Sequence, residues 1–204
     1  MTVVLFDYGG VLGDHHIEAA EQELADWFHC GITEVRSLLS EKSEQGALFR
    51  ANRITEPEFW RRVAARAGLA EVPAPDDVLM AAWCRTYKPN DQLFAMLSSL
   101  RQEATVGVVT NIDEPRSRYL MTEVRLMDHI DVYFPSYVAG VTKKAPEFWR
   151  WIRAQVAGRV MYVDDRQEHV DSAARVGFAT CRYDGDPNRL ADVLSAWVRE
   201  DGAR

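Results

Sequence analysis

Val3-Val4-Leu5-Phe6-Asp7-Tyr8-Gly9-Gly10-Val11-Leu12 decides how the rest of the chain is read. Thr2–Phe6 is a short β-type run that passes straight into a carboxylate, Asp7, followed by a turn-forming glycine pair. Four more runs of this kind follow: Thr105–Val109, Asp131–Ser136, Arg159–Val163 and Phe178–Arg182. Helical patterns lie between most of them, so the spacing predicts an α/β fold, a three-layer Rossmann-like parallel sheet. Two further runs also end on polar residues, Val109 on Thr110-Asn111 and Val163 on Asp164-Asp165. In a parallel sheet these ends converge, where such sheets bind ligands. An aspartate after a strand is by itself more often a turn or cap residue. Three carboxylates gathered together are different, because they repel unless a cation joins them, and hard oxygen-rich clusters suit Mg²⁺. Lys143 supplies a candidate ammonium.

The helices carry start signals at Pro115, Pro146 and Asp186-Pro187, and Gly177 ends one before its strand. From about His15 to Arg85 no convincing strand occurs. Ile17, Ala20, Leu24, Trp27 and Phe28 fall on one face of a first helix, and Val35, Leu38 and Leu39 on one face of a second. Thr55-Glu56-Pro57-Glu58 reads as a capping box with Ile54 and Phe59 as its staple, and Gly68 closes that helix. The expected division is therefore a sheet domain of residues 1–14 and 86–204 and an inserted helical cap domain of residues 15–85, forming a lid over the strand ends.

The 204 residues carry 24 basic and 31 acidic side chains, a formal charge of −7, and 47% of the residues are hydrophobic. This is the composition of a water-soluble globular protein large enough to need no disulfide staples. Without a basic stripe, a nucleic-acid backbone is not an expected partner. No run approaches the length of a membrane span, and no basic leader precedes an apolar run, so neither membrane insertion nor secretion is expected. Cys30, Cys84 and Cys181 are scattered and odd in number, which points away from a disulfide framework or zinc site and towards a reducing, cytoplasmic setting.

With these motifs in order, the sequence resembles the haloacid dehalogenase superfamily of aspartyl phosphotransferases across essentially its whole length. Val3–Leu12 resembles the first family motif, Val108-Val109-Thr110-Asn111 the second and Gly140–Phe148 the third. Tyr162-Val163-Asp164-Asp165 with Ala173, Ala174 and Gly177 resembles the fourth. The resemblance implies a Mg²⁺-dependent phosphomonoester hydrolase of a small phosphorylated metabolite, such as a sugar phosphate. Asp7 would be the nucleophile that forms an aspartyl-phosphate. Thr110 and the Asn111 amide would hold the phosphoryl oxygens, with Gly9 and Gly10 in the substrate-binding loop, and Lys143 would offset charge. Asp7, the Gly9 carbonyl and Asp164 would bind the metal directly, while Asp165 would orient a metal water or hold Lys143.

The chain departs from the family pattern at Gly9, where most family phosphatases carry a second aspartate acting as general acid and base. Loss of such a group costs about 10²–10⁴ in rate. Some family phosphatases resembling bacterial sugar-phosphate phosphatases also have glycine there, so the enzyme reading stands. Asp14, His15 and His16 offer substitutes, although solvated linker residues are the simpler reading. Lys144 replaces a common proline and is expected on the surface. The dehalogenase branch is disfavoured because Asp164-Asp165 is intact. The alternatives are a weakly catalytic module binding a phosphometabolite or a protein, and a phosphotransferase or mutase using Asp7. Arg50, Asn52, Arg53, His29 and Trp60 are lid residues that could read a substrate; Arg50 and Arg53 could meet a second anionic group, and Phe59 and Trp60 are expected in the lid core.

Overall fold

The computed structural model describes residues 1–14 and 17–202. In chain order, β1 (Thr2–Phe6) and a two-residue β2 (Gly13–Asp14) precede five helices: α1 (Glu18–Trp27), α2 (Ile32–Leu39), α3 (Glu44–Arg50), α4 (Glu56–Arg66) and α5 (Asp76–Cys84). Then come β3 (Lys88–Pro89), α6 (Asp91–Leu100), β4 (Thr105–Thr110), α7 (Glu114–Thr122), β5 (Val132–Pro135), α8 (Ser136–Ala139) and α9 (Pro146–Arg153). The chain ends with β6 (Arg159–Asp164), α10 (Gln167–Ala174), β7 (Ala179–Arg182) and α11 (Pro187–Gly202).

Five strands form a parallel sheet in the order β5-β4-β1-β6-β7. The central strand β1 is buried along its whole length, and its side chains alternate between two cores. Val4 and Phe6 pack with Val106, Val108 and Val163 against α6, α7 and α11. Val3 and Leu5 pack with Val109 and Tyr162 against α9 and α10. The result is the expected α/β sandwich with helices on both sheet faces. Gly107 is needed in β4, since a Cβ there would lie 2.4 Å from Val132 Cγ2. The strands shift slightly from their expected bounds: Thr110 and Asp164 still belong to β4 and β6. Asp131 falls outside β5 because its carboxylate accepts from Val106 N–H at 2.9 Å and pairs with Arg101.

The five helices between β2 and β3 have their own apolar cluster, built on Leu24, Phe28, Val35, Phe59, Trp60, Leu79 and Trp83. Phe59 stacks between Phe49 and Trp83, with ring centroids 4.5 and 5.2 Å away. Phe59 and Trp60 are therefore core residues, as expected. Trp27 is a correction: it is 37% exposed, because the buried stripe of α1 runs through Ala20, Leu24 and Ala25. Helix α3 went unread in the sequence, although Ser43 Oγ accepts from Gly46 N–H at its start. Thr55 caps α4 through Glu58 N–H at 3.4 Å, but the Glu58 carboxylate pairs with Arg62 at 2.5 Å. The chain enters and leaves this helical segment through β2 and β3, which pair antiparallel with Gly13 opposite Pro89. Among the described residues no helix is long and apolar enough to cross a membrane, and the three cysteines are free thiols.

Candidate active site

Parallel pairing carries the end of β1 to the ends of β4 and β6. Asp7 N–H donates to Val163 C=O at 2.8 Å, extending the β1–β6 ladder one residue past β1. Asp7 Oδ1 accepts from Tyr8 N–H at 2.7 Å and meets Lys143 Nζ at 2.8 Å. Lys143 Nζ lies 3.0 Å from Asp164 Oδ2, so one fully buried ammonium joins two strand ends. The loop after α8 delivers this lysine. Its N–H donates to Asn111 Oδ1 at 2.9 Å, and its carbonyl accepts from Trp149 Nε1 at 2.8 Å.

The two adjacent aspartates have different surroundings. Asp164 is completely buried. Its Oδ2 meets Lys143, the Tyr162 hydroxyl and His169 Nδ1, the last at 3.1 Å, and its Oδ1 accepts from Arg166 N–H at 2.8 Å. Asp165 instead lines a cavity of about 770 Å³ together with Asp7, Gly9, Thr110 and Asn111. Its buried Oδ1 has no hydrogen-bond partner among the described residues. Thus Asp164, expected to bind metal, is the residue that holds Lys143, and Asp165 is the one left open.

The charges follow this geometry. Burial, resisted by Lys143 but reinforced by Asp164, holds the Asp7 carboxyl well above the usual carboxylate range. Burial and then the neighbouring Asp164 also raise Asp165. Burial opposes ionisation of Asp164, yet Lys143, His169 and Tyr162 overcome it and hold that carboxyl far below its ordinary value. Burial likewise opposes the Lys143 ammonium, but Asp164 and Asp7 more than offset this. One ammonium is therefore too little charge for three carboxylates, and a divalent cation beside Asp7 and Asp165 would restore the balance. Carboxylate and carbonyl oxygens are also the donors that Mg²⁺ takes. Ligand atoms of Asp7, Asp164 and His169 lie within 4.8 Å of one another, but Lys143 already bridges Asp7 to Asp164.

Gly9 lines the cavity, whereas Gly10 does not belong to its wall. The Gly10 N–H donates to Gly13 C=O at 2.9 Å. At φ +79°, a Gly10 Cβ would lie 2.7 Å from Asp165 Oδ2, so this glycine makes room for the Asp165 carboxylate. Lys144 is exposed, as expected. His15 and His16 lie outside the described residues. His29 and Asn52 occupy left-handed turns, and Arg53 Nε donates to Gly140 C=O at 3.0 Å.

Several cavity residues carried no sequence signal. Glu41, between α2 and α3, pairs with Arg166, accepts from Asn111 Nδ2 at 2.5 Å and lies 3.9 Å from His169 Nε2. Burial pushes Glu41 up, but Arg166, Arg50 and the Asn111 hydrogen bond bring it down to about 2. Arg116 forks onto Asp113, donates to the Tyr87 hydroxyl at 2.8 Å and lies 3.6 Å from the Trp83 ring centroid.

The family model described as haloacid dehalogenase-like hydrolase matches residues 1–177. This chain belongs to that family of hydrolases. No curated protein matches this hydrolase in sequence. Its fold is similar to that of a HAD family enzyme from Bacteroides thetaiotaomicron in complex with magnesium and inorganic phosphate. They share 18% identity at a TM-score of 0.74, over 91% of this chain and 96% of that one. A HAD-like family hydrolase from Porphyromonas gingivalis aligns at TM-score 0.77 and 19% identity, over 97% of this chain and 98% of the other. The L-2-haloacid dehalogenase of Xanthobacter autotrophicus, with chloropropionic acid covalently bound, aligns at TM-score 0.66 and 18% identity, over 88% of this chain and 76% of that one.

Proposed function

We propose that this hydrolase removes a phosphoryl group from a small phosphorylated metabolite by way of Asp7, with Mg²⁺ as cofactor. The single observation carrying this reading is the pairing of Asp7 with a buried lysine beside a cavity into which Asp165 brings a carboxylate oxygen, Oδ1, with no hydrogen-bond partner among the described residues. Asp7 Oδ2, which has no hydrogen bond among the described residues, is the nucleophilic atom: it forms a bond to phosphorus as the ester oxygen leaves with the bonding pair and takes up a proton. Water then cleaves the aspartyl-phosphate, releasing inorganic phosphate and regenerating the carboxylate. Lys143 fixes the Asp7 carboxylate and supplies positive charge beneath it, and Thr110 and the Asn111 N–H receive phosphoryl oxygens. Asp7, the Gly9 carbonyl and Asp165 would hold Mg²⁺, which would supply positive charge to the phosphoryl oxygens. In this reading Asp164 anchors Lys143 and Asp165, rather than Asp164, takes the direct metal contact.

In this reading residues 15–85 are a lid over a catalytic domain of residues 1–14 and 86–204. The contacts of Glu41 with Arg166 and Asn111 support it, because they join the two across the cavity. Gly9 has no side chain to protonate a leaving oxygen or activate water, which favours phosphoryl transfer to a second hydroxyl as the other reading. The deciding experiment incubates the protein and Asp7→Asn with Mg²⁺ and a panel of phosphate monoesters. Phosphate release by the parent alone supports hydrolysis, transfer to an added alcohol without release supports transferase action, and equal release by both sinks the role of Asp7.

A further inference from the structure

Arg50 lines the same cavity as Asp7 and is 7% exposed. Its guanidinium donates to Gly46 C=O and Leu39 C=O, each at 3.0 Å. Among the described residues no carboxylate forms an ion pair with it, unlike Arg116, which is forked onto Asp113. Binding the terminal carbonyl of α2 needs a donor but not a full charge, and two of the five guanidinium N–H groups suffice for both contacts. A buried cation without a direct ion pair is costly; Glu41 and Asp113 act on it only through space, so an anion brought by a ligand would supply the missing contact. Burial and then Arg116 bring the Arg50 pKa down to about 10, against the opposing pull of Asp113, Tyr87 and Glu41. The group is still cationic at neutral pH.

A second, independent vacancy lies on the same helix. Gln45 is 1% exposed and also lines the cavity. Its Nε2 donates to Leu38 C=O at 2.7 Å. That carbonyl can only accept, which fixes the amide orientation and leaves Oε1 as an acceptor. This buried Oε1 has no hydrogen-bond partner among the described residues. A ligand that satisfies the roof of the cavity must therefore bring both negative charge and a hydrogen-bond donor.

We propose that the substrate is a phosphate monoester whose alcohol portion carries a second anionic group, received by Arg50, and a hydroxyl, received by Gln45 Oε1. This rests on the reading of Asp7 as the phosphoryl site. Phosphorylated hydroxy acids and bisphosphates of polyols both have this chemistry, and they differ only in the source of the second anion.

Isothermal calorimetry with Asp7→Asn and Mg²⁺ separates binding from turnover. Two series are compared: glycerol 3-phosphate, 3-phosphoglycerate and glycerol 1,3-bisphosphate; and sorbitol 6-phosphate, 6-phosphogluconate and sorbitol 1,6-bisphosphate. In at least one series an ester with a second anion binds about tenfold or more tightly than its neutral-ended counterpart. The tighter of the carboxylate and bisphosphate arms identifies the anion. Arg50→Met reduces the preference to within twofold, and Arg50→Lys retains part of it, with thermal unfolding of each variant confirming a folded protein. Gln45→Leu removes the discrimination between 3-phosphoglycerate and the O-phosphate of 3-hydroxypropionate, which lacks the 2-hydroxyl. Equal binding within both series, or a preference that survives Arg50→Met, overturns the proposal. If Arg50→Met does not fold, the ratio in the Arg50-containing protein still decides. Selective binding without phosphate release from the Asp7-containing protein leaves this assignment standing and counts against hydrolysis instead.

Discussion

At the floor of the cavity Asp7 and Asp164 share the ammonium of Lys143 beside Asp165, whereas at its roof the guanidinium of Arg50 forms no ion pair with a carboxylate among the described residues. The floor is made by strand ends, whose positions are fixed by the parallel ladder, and it has too much negative charge. The roof is made by helix ends, and its uncompensated charge is positive. A molecule placed between them therefore meets two demands of opposite sign: a cation at one end and an anion at the other. Under the proposed function this becomes a division of work, with chemistry at the sheet and recognition at the helices.

The largest expected effect comes from the floor. Asp7→Asn should reduce phosphate release on the order of 10⁴-fold or more while leaving the circular dichroism spectrum unchanged. A variant that still turns over would move the reaction away from the strand ends. Next comes stability in urea. Lys143→Met leaves two buried carboxylates without their shared cation and should cost about 3–5 kcal/mol, whereas Arg50→Met should cost less than about 2 kcal/mol. Equal costs would mean that the roof arginine is as much a structural partner as the floor lysine.

Under the proposed function, magnesium should distinguish the two adjacent aspartates. Because Asp7 and Asp165 are raised, their protonated forms favour the folded state without metal. That contribution is present below the ordinary carboxylate value of 3.8 and is lost as pH rises through the raised values. Metal needs the ionised forms, so stabilisation by Mg²⁺ should grow with pH, reaching about 2.7 kcal/mol at one hundred times its Kd. Thermal unfolding with and without Mg²⁺ should show the shift abolished in Asp165→Asn and retained in Asp164→Asn; the reverse pattern would restore the roles expected from sequence. A further effect joins roof to floor. Glu41 falls from 4.5 to about 2 on folding, so its stabilisation is present above pH 4.5 and lost as pH drops towards 2. Glu41→Gln should flatten acid unfolding in that window and cost about 2 kcal/mol at pH 7.

Asp7 and the Asp164-Asp165 pair were legible because each directly follows an apolar run, and a parallel sheet brings such ends together, whereas Lys143 comes from a loop. What sequence could not separate was Asp164 from Asp165. Strand alternation puts Asp164 on the side of Tyr162, whose hydroxyl it meets, and sends it towards Lys143 rather than into the cavity. Glu41 and Arg166 were illegible for another reason: they stand 125 residues apart, and no local period links them. Arg50 could be named but not interpreted, since only three-dimensional packing reveals that its guanidinium bonds carbonyls and forms no direct ion pair among the described residues.

The seam formed by β2 and β3 has one more consequence. Paired strands run about 4.8 Å apart, so the points where the chain departs from the sheet layer and rejoins it are side by side. A turn of a few residues can close that gap, and a segment of quite different length can be spliced across it without disturbing the register of the parallel ladder. Under the proposed function the sheet layer is a fixed engine and the helical segment an exchangeable reader, so that evolution or an engineer can change what is recognised by working at a single joint.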